Sequence, residues 1–523
     1  MKSHNKILLS KTKILGYRQP VLRVCLGLIM LVSSCTKLDE PLYSQLNKDN
    51  FLKTDAEIVS AIGAAYSGLR TFQDFGNLWT IYCTADEVAI VGRTGGDWAG
   101  DGQDQQMTDQ TWIPNNRFIK GTWLSFYRQI NTCNLLLYQL EQVDSVKYIN
   151  YIAEIKTVRA LWYLWMIDMW GNVPIVDKFD VPKDFLPSTN TRKEVYNFIE
   201  KEVKDNLENL SKDVNSLTYG RANYWTARAI LAKLYLNATV YTGTSQWQKA
   251  VDACNEIINS GKYAITTTYR ENFIAKNQDS KEAIFSIPFD AIYTQWSWFL
   301  PLVTLHGSSQ QTFNMTNQPW NGLSVQTDFF YKYEDQDIRK KDSFLWGPQY
   351  TSSGEPLLDP GYEKNTAIDP DGPQINYTPA FISLYNTARQ SGARIKKWEI
   401  EMGSSGLMNN DFFVFRYADI MLMKAEALWR LNPASAEALT IVNEIRTRAQ
   451  ATPFISLTDE NLLGERGKEL FCEGWRRSDL IRFDKYNEPT IFKPYKSGAF
   501  RKLYPIPQDQ LDANPKLTQN PGY

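Results

Sequence analysis

Apolar residues recur at helical spacing in four places along the chain. Between Tyr224 and Ile258, Trp225, Ala229, Ala232 and Leu236 fall on one face of a helix, and Trp247, Ala250, Cys254 and Ile257 line a second. Thr242-Gly243-Thr244-Ser245 breaks the pattern between them. From Tyr417 to Thr447 the plan repeats. Ala425 stands where Ala232 stood, Asn432-Pro433 makes the turn, and Asn443-Glu444-Ile445 echoes Asn255-Glu256-Ile257. Two looser pairs come earlier: residues 56 to 70 with 118 to 140, and 151 to 170 with 191 to 210, where Gly171 and Pro174 stop the third helix after Trp170. A spacing of roughly 31 to 35 residues per pair matches the tetratricopeptide period of about 34. The expected fold class is mainly α: a tetratricopeptide-like, right-handed scaffold of about four helical pairs, with an unrelated helical bundle as the alternative on periodicity alone.

Two stretches, 71 to 117 and 262 to 411, lack this period and are rich in Gly, Asn, Gln, Asp and Trp. They read as long irregular insertions, and ordered loops of this length usually carry function. Short strands are expected in the second, the clearest at Glu282 to Pro288. The proline-rich end, Leu503 to Tyr523, is expected to lie extended over the scaffold.

The first residues follow a different pattern. Val24 to Val32 is an unbroken apolar run that ends in Ser33-Ser34-Cys35, preceded by Lys2, Lys6, Lys11, Lys13, Arg18 and Arg23 and by no acid. This is the layout of an export signal. The run falls short of the roughly 20 apolar residues a membrane span needs. Its ending resembles a bacterial lipobox, in which Cys35 becomes the acylated first residue; a simple cleaved signal is the alternative. The expected organisation is a signal peptide, 1–34, and a mature unit, 35–523, whose parts of about 35–262 and 263–523 intertwine.

Charge narrows the partners. Lys and Arg number 57 against 58 Asp and Glu, and loss of the signal's basic residues leaves the mature chain acidic. A nucleic-acid partner is disfavoured, since phosphate binding needs a basic surface. Cys83, Cys133, Cys254 and Cys472 are far apart and read as small buried apolar residues. His4 leaves with the signal, so any histidine chemistry would rest on His306 alone. Asp97, Asp101, Asp104 and Asp109 do not follow the alternation of an EF-hand loop, and Asp369-Pro370-Asp371-Gly372 reads as a turn. No metal, no cofactor and no catalysis are expected.

Several strings, in order, resemble the SusD/RagB family of nutrient-binding outer-membrane lipoproteins of Bacteroidetes. They are Cys35-Thr36-Lys37-Leu38-Asp39-Glu40-Pro41, Arg159 to Tyr163 with Trp170-Gly171-Asn172-Val173-Pro174, and Gly220-Arg221-Ala222. Further on come Arg416-Tyr417-Ala418-Asp419-Ile420 with Lys424 to Ala427, then Asn443, Arg446 and Arg448, Glu465 to Phe483, Leu503 to Pro507, and Gln519 to Tyr523. The resemblance implies a lipid-anchored protein on the outer membrane, facing the cell exterior. Such a protein captures a nutrient, most often a glycan, and delivers it to a SusC-type TonB-dependent transporter. Some relatives take peptides. Gly467 and Ser478 depart from the family pattern and are expected to loosen the 465–483 helix. That helix's charges are expected to pair along its face, Glu473 with Arg476 and Arg477 and Asp479 with Arg482, at about 0.2 to 0.5 kcal/mol each.

Sugar rings lay their C–H faces on aromatic rings while Asp, Asn, Gln and Arg take hydroxyls. Both kinds of residue crowd the insertions. The expected ligand-binding residues are Asp74, Arg93, Trp98, Tyr293, Trp296, Trp298, Trp320 and Asn321, with Trp98, Trp296 and Trp320 as stacking platforms. Phe75, Gln318 and Trp346 lie in the same stretches. Large aromatics are more often core than contact, and Trp79, Trp112, Trp123, Trp162, Trp165, Trp225, Trp247, Trp429 and Trp475, within or beside helical patterns, are assigned to packing. Two alternatives differ in kind. A lipid-anchored glycoside hydrolase needs two carboxyls at a fixed separation, and no stretch singles out such a pair. A helical-repeat adhesin would bind no small ligand.

Overall fold

Helix starts in this chain coincide with side chains that take up the orphan amides of a first turn. The computed structural model describes residues 54–294, 298–360 and 373–523; Cys35, Trp296 and the 369–372 turn lie outside the described residues. Thr54 and Glu57 form a capping box for α1 (Asp55–Leu69). Next come α2 (Phe75–Tyr82) and the short strand β1 (Val88–Ile90). Asn116 then caps α3 (Arg117–Asp144), which packs along α1.

The second pair is α4 (Ile149–Met169) with α5 (Arg192–Asn206), the latter opened by a Thr191–Glu194 box. Gly171, in left-handed backbone, follows the end of α4. Asn223 caps α6 (Tyr224–Leu236), and α7 (Trp247–Asn259) returns along it. The fourth pair, α8 (Tyr417–Leu431) and α9 (Ala436–Arg448), lies against α7 and α6. The four pairs expected from periodicity are present, and the fold is mainly α.

The second insertion contributes β2 (Ala283–Ile287) and β3 (Leu323–Val325), and β4 (Phe412–Arg416) leads into α8. β2 pairs antiparallel with β4, tying the insertion to the fourth helical pair, and β1 pairs antiparallel with β3, tying the two insertions together. The first insertion is less irregular than expected. α2 buries Asn77, Leu78, Trp79, Thr80, Ile81 and Tyr82 on all sides, so it has no amphipathic stripe to betray it in sequence. The chain end does lie over the scaffold, with Tyr504 and Ile506 buried. Trp170 Nε1 donates to the Pro505 carbonyl at 3.0 Å and Asn520 Nδ2 to that of Trp170 at 2.7 Å. It is not wholly extended: Gln508–Ala513 forms a short helix directly after Pro507.

The 465–483 stretch differs most from expectation. It is two helices, α10 (Asp459–Glu469) and α11 (Arg476–Arg482), separated by a turn with Cys472 and Gly474 at positive φ. A Cβ on Gly474 would stand 2.9 Å from the Phe72 ring. Its charges are buried and pair mainly across elements. Glu473 binds Arg416 at 2.8 Å and Lys397 at 2.6 Å, Arg476 binds Asp86 at 2.6 Å, and Arg477 reaches Asp168 at 3.3 Å. Only the Asp479–Arg482 pair forms as expected, at 2.7 Å, and Asp479 is shared with Arg466 at 2.9 Å.

Arg416, fully buried at the end of β4, also reaches Glu282 at 3.0 Å and Glu469 at 2.7 Å. Burial pushes the Glu469 carboxyl up, but Arg448, Arg416 and Arg339 outweigh it and hold it well below the usual range. Gly467 does not loosen this arrangement. A Cβ there would fall 2.6 Å from an Arg476 guanidinium nitrogen, so the missing side chain is what lets Arg476 lie on α10 and donate to the Leu463 carbonyl at 2.7 Å. Ser478 Oγ donates to Asn237 at 3.2 Å.

Candidate functional site

Three half-buried rings, Phe75, Trp98 and Trp320, come together around two buried ones, Trp79 and Phe299. The patch begins at the first turn of α2, where Phe75 packs on Trp79 with centroids 4.4 Å apart. Trp79 is held by its indole N–H, which donates to Asp104 Oδ1 at 2.7 Å, while Arg117 binds the other carboxylate oxygen at 2.7 Å. Asp101 and Asp104 are thus engaged in structural contacts, Asp101 accepting from the Gln103 side chain at 2.7 Å. Among the described residues, no group of three or more His, Cys, Asp or Glu is placed to hold a metal.

Trp98 reaches the patch from a glycine turn. Gly95 and Gly96 are at positive φ, as is Trp98 itself, and Arg93 N–H donates to the Asp97 carbonyl at 2.6 Å, closing the loop. The Trp98 ring lies flat over Gly322, where a Cβ would stand 2.5 Å from ring atoms, so only glycine admits it. Its indole N–H donates to the Trp320 carbonyl. Trp320 is carried by a segment, left-handed at Asn321, whose amides at Trp320, Asn321 and Gly322 donate to the Leu302, Leu305 and Val303 carbonyls. Its ring meets Phe299 at 5.6 Å and, edge-on, Phe75 at 6.1 Å. Beside these rings Asp74, at the start of α2, is half-buried, and burial pushes its carboxyl up to about 6.

The remaining expected residues divide. Arg93 is fully buried and does not face a ligand: it donates to the Asn321 carbonyl at 2.9 Å, the Ser391 carbonyl at 2.9 Å and Ser324 Oγ at 2.7 Å. Asn321 is buried too, its side chain accepting from Arg394 at 2.8 Å and donating to the Arg389 carbonyl at 2.9 Å. Both act behind the patch, fixing the segment that carries Trp320. Trp298 is core, against Phe289 at 5.0 Å and Trp398 at 5.2 Å.

Phe289 packs against Trp298, and the turn that follows Phe289 leaves Tyr293 86% exposed. Asp290 Oδ1 accepts the amides of Ile292 and Tyr293 at 2.8 and 2.9 Å, shaping its tip. Trp346 is exposed but packs elsewhere, edge-on against Phe330. Trp79, assigned to packing from the sequence, is buried behind the patch, and Phe299 had no mark in sequence beyond being aromatic.

His306 is buried, burial keeps its pKa below the ordinary value, and its Nδ1 accepts from the Ser308 amide at 3.1 Å. What the patch offers is a cluster of half-exposed apolar rings, Phe75 tilted 34° to Trp98 and edge-on to Trp320, with Asp74 beside Phe75 in sequence.

Two family descriptions match the chain: "SusD family" over residues 374–523 and "Starch-binding associating with outer membrane" over residues 38–236. The starch-binding protein SusD of Bacteroides thetaiotaomicron is 26% identical over 465 residues, covering 82% of each chain. Among solved structures, a laminarin-binding SusD-like protein superposes with a TM-score of 0.71 at 23% identity, covering 90% of this chain and 100% of its own. Surface glycan-binding protein A of Bacteroides thetaiotaomicron, in complex with laminarihexaose, gives 0.71 at 23% identity over 89% of this chain and 99% of its own. With both matches falling on the scaffold and its ion-paired carboxyl-terminal half, this chain belongs to the SusD family.

Proposed function

We propose that this protein captures an oligosaccharide at the cell surface, stacking it on Trp98, Trp320 and Phe75, and delivers it to a SusC-type TonB-dependent outer-membrane transporter. The observation that carries this reading is the trio of half-exposed rings held rigidly from behind: Trp98 over Gly322, Phe75 on Trp79, Trp320 on Phe299. Fixed rings lose little conformational entropy when a sugar face settles on them. Asp74 accepts hydroxyls, and the exposed Tyr293 offers a further aromatic ring. Relatives named for binding starch and laminarin support a glucan as the first ligand to try.

Acylation of Cys35 at the start of a mature unit of 35–523 tethers the protein to the outer membrane. Confinement to the membrane plane raises its effective concentration for the transporter. The binding step involves no bond cleavage. Titration of starch and laminarin oligosaccharides into the soluble unit, followed calorimetrically, tests the reading. Saturable heats without release of reducing ends support it. Release of reducing ends with time, or no heats with any glycan of a broad array, overturns it.

A further inference from the structure

A second cavity is unrelated to the aromatic patch. A cleft of about 780 Å³ opens beyond the carboxyl-terminal end of α2, between the insertions and α10, and none of Phe75, Trp98 or Trp320 lines it. On its wall is Lys468, only 6% exposed. A buried ammonium needs acceptors for its three donors. The neighbouring buried cations have theirs. Arg476 binds Asp86, Lys397 binds Glu473 and the Phe471 carbonyl, and Lys493 donates to the carbonyls of Asn487, Glu488 and Tyr495.

Lys468 differs. The nearest acid, Glu465, is already held by Arg339 at 2.6 Å and Arg446 at 2.7 Å, which leaves Lys468 Nζ 3.7 Å from Glu465 Oε2, outside hydrogen-bond range. No hydrogen bond from Nζ to a described residue is present. Burial lowers the amine's pKa against the opposing pull of Glu465, and Arg339 and Arg446 lower it further. The cleft is also lined by the acids Asp86, Asp328, Glu460 and Glu488 and by the bases Lys332, Arg476, Lys485 and Lys493; these balance one another and leave the Lys468 charge over, which a monoanion neutralises and a polyanion overshoots.

We propose that this cleft binds a small monocarboxylate, with Lys468 Nζ donating to the carboxylate. The chemistry is shared by a uronic acid and by an amino acid, and the test separates them. Sodium glucuronate, glycine, acetate and inorganic phosphate are titrated into the full soluble unit, its Lys468→Met variant and its Trp98→Ala variant.

The expected result is saturable binding of at least one carboxylate, weaker for phosphate, reduced at least about 10-fold in Lys468→Met and unchanged in Trp98→Ala. A response to glucuronate alone assigns the site to an acidic sugar, and a response to glycine alone to an amino acid. In the unaltered protein the preferred carboxylate also slows acylation of Lys468 by an amine-reactive reagent, read by peptide mass, so the result does not depend on the variant folding. Equal binding by Lys468→Met, acylation of Lys468 at the same rate at saturating carboxylate, or no binding of any of the three carboxylates by the parent overturns the proposal.

Discussion

The carboxyl-terminal scaffold and the two insertions treat their unusual residues in opposite ways. Around α10 and α11 the chain takes charges inside: Arg416, Arg446 and Arg466 are fully buried with Glu465 and Glu469, and the second insertion sends in Glu282 and Arg339 to pair with them. In the insertions it leaves indoles half outside, at Trp98 and Trp320. Both choices cost stability if left uncompensated, and each region compensates differently. The scaffold meets charge with charge from distant elements, whereas the insertions hold exposed rings rigid against buried ones. The lesson is that a residue's type predicts its role poorly until its partners are known.

The comparison breaks most visibly at Arg416. Arg416→Met removes the cation shared by Glu282, Glu469 and Glu473 and should cost about 3 to 5 kcal/mol, read as a lowered urea midpoint. A loss below 1 kcal/mol would mean that the cluster is solvated. In the insertions, Gly322→Ala puts a methyl into the Trp98 ring. It should weaken glucan binding about 10-fold and lower the melting temperature little. Binding unchanged in that variant would detach Trp98 from the site.

Asp74 gives a smaller effect with a defined sign. The folded chain keeps this proton up to about 6 where the unfolded chain releases it near 3.8. Its contribution is therefore full below pH 3.8, falls as pH rises to 6, and stays lost above. Asp74→Asn should be more stable than the parent at pH 7, on the order of 1 kcal/mol after solvent screening, with a flatter profile between pH 4 and 6. Urea melts across that range check it. The smallest change is expected at the exposed Lys201–Asp205 pair of α5. Lys201→Ala should leave the urea midpoint indistinguishable from that of the parent, the contrast that makes Arg416 informative.

The helical pairs were legible because their apolar positions keep a 3.6-residue period and their caps are local: Thr54 with Glu57, Thr191 with Glu194, Asn223. The ion cluster was not. Glu473 and Arg476 are three apart in sequence and look like a surface pair, but Glu473 turns to Arg416 because the turn at Cys472 and Gly474 breaks the helix between them. Indoles at Trp98 and Trp320 were readable as loop aromatics flanked by glycine and polar residues. Trp298 carried the same marks and went inside, because Phe289, Trp398 and Phe412 surround it from three separate segments. Arg93 likewise looked like a ligand contact, and only the pairing of β1 with β3 shows it clasping the chain behind Trp320.

The most direct measurement is calorimetric titration of starch and laminarin oligosaccharides into the parent and a Trp98→Ala/Trp320→Ala double variant of equal melting temperature. Saturable binding by the parent that falls at least about 100-fold in the double variant is predicted. Undiminished binding by the double variant would contradict capture on the aromatic patch.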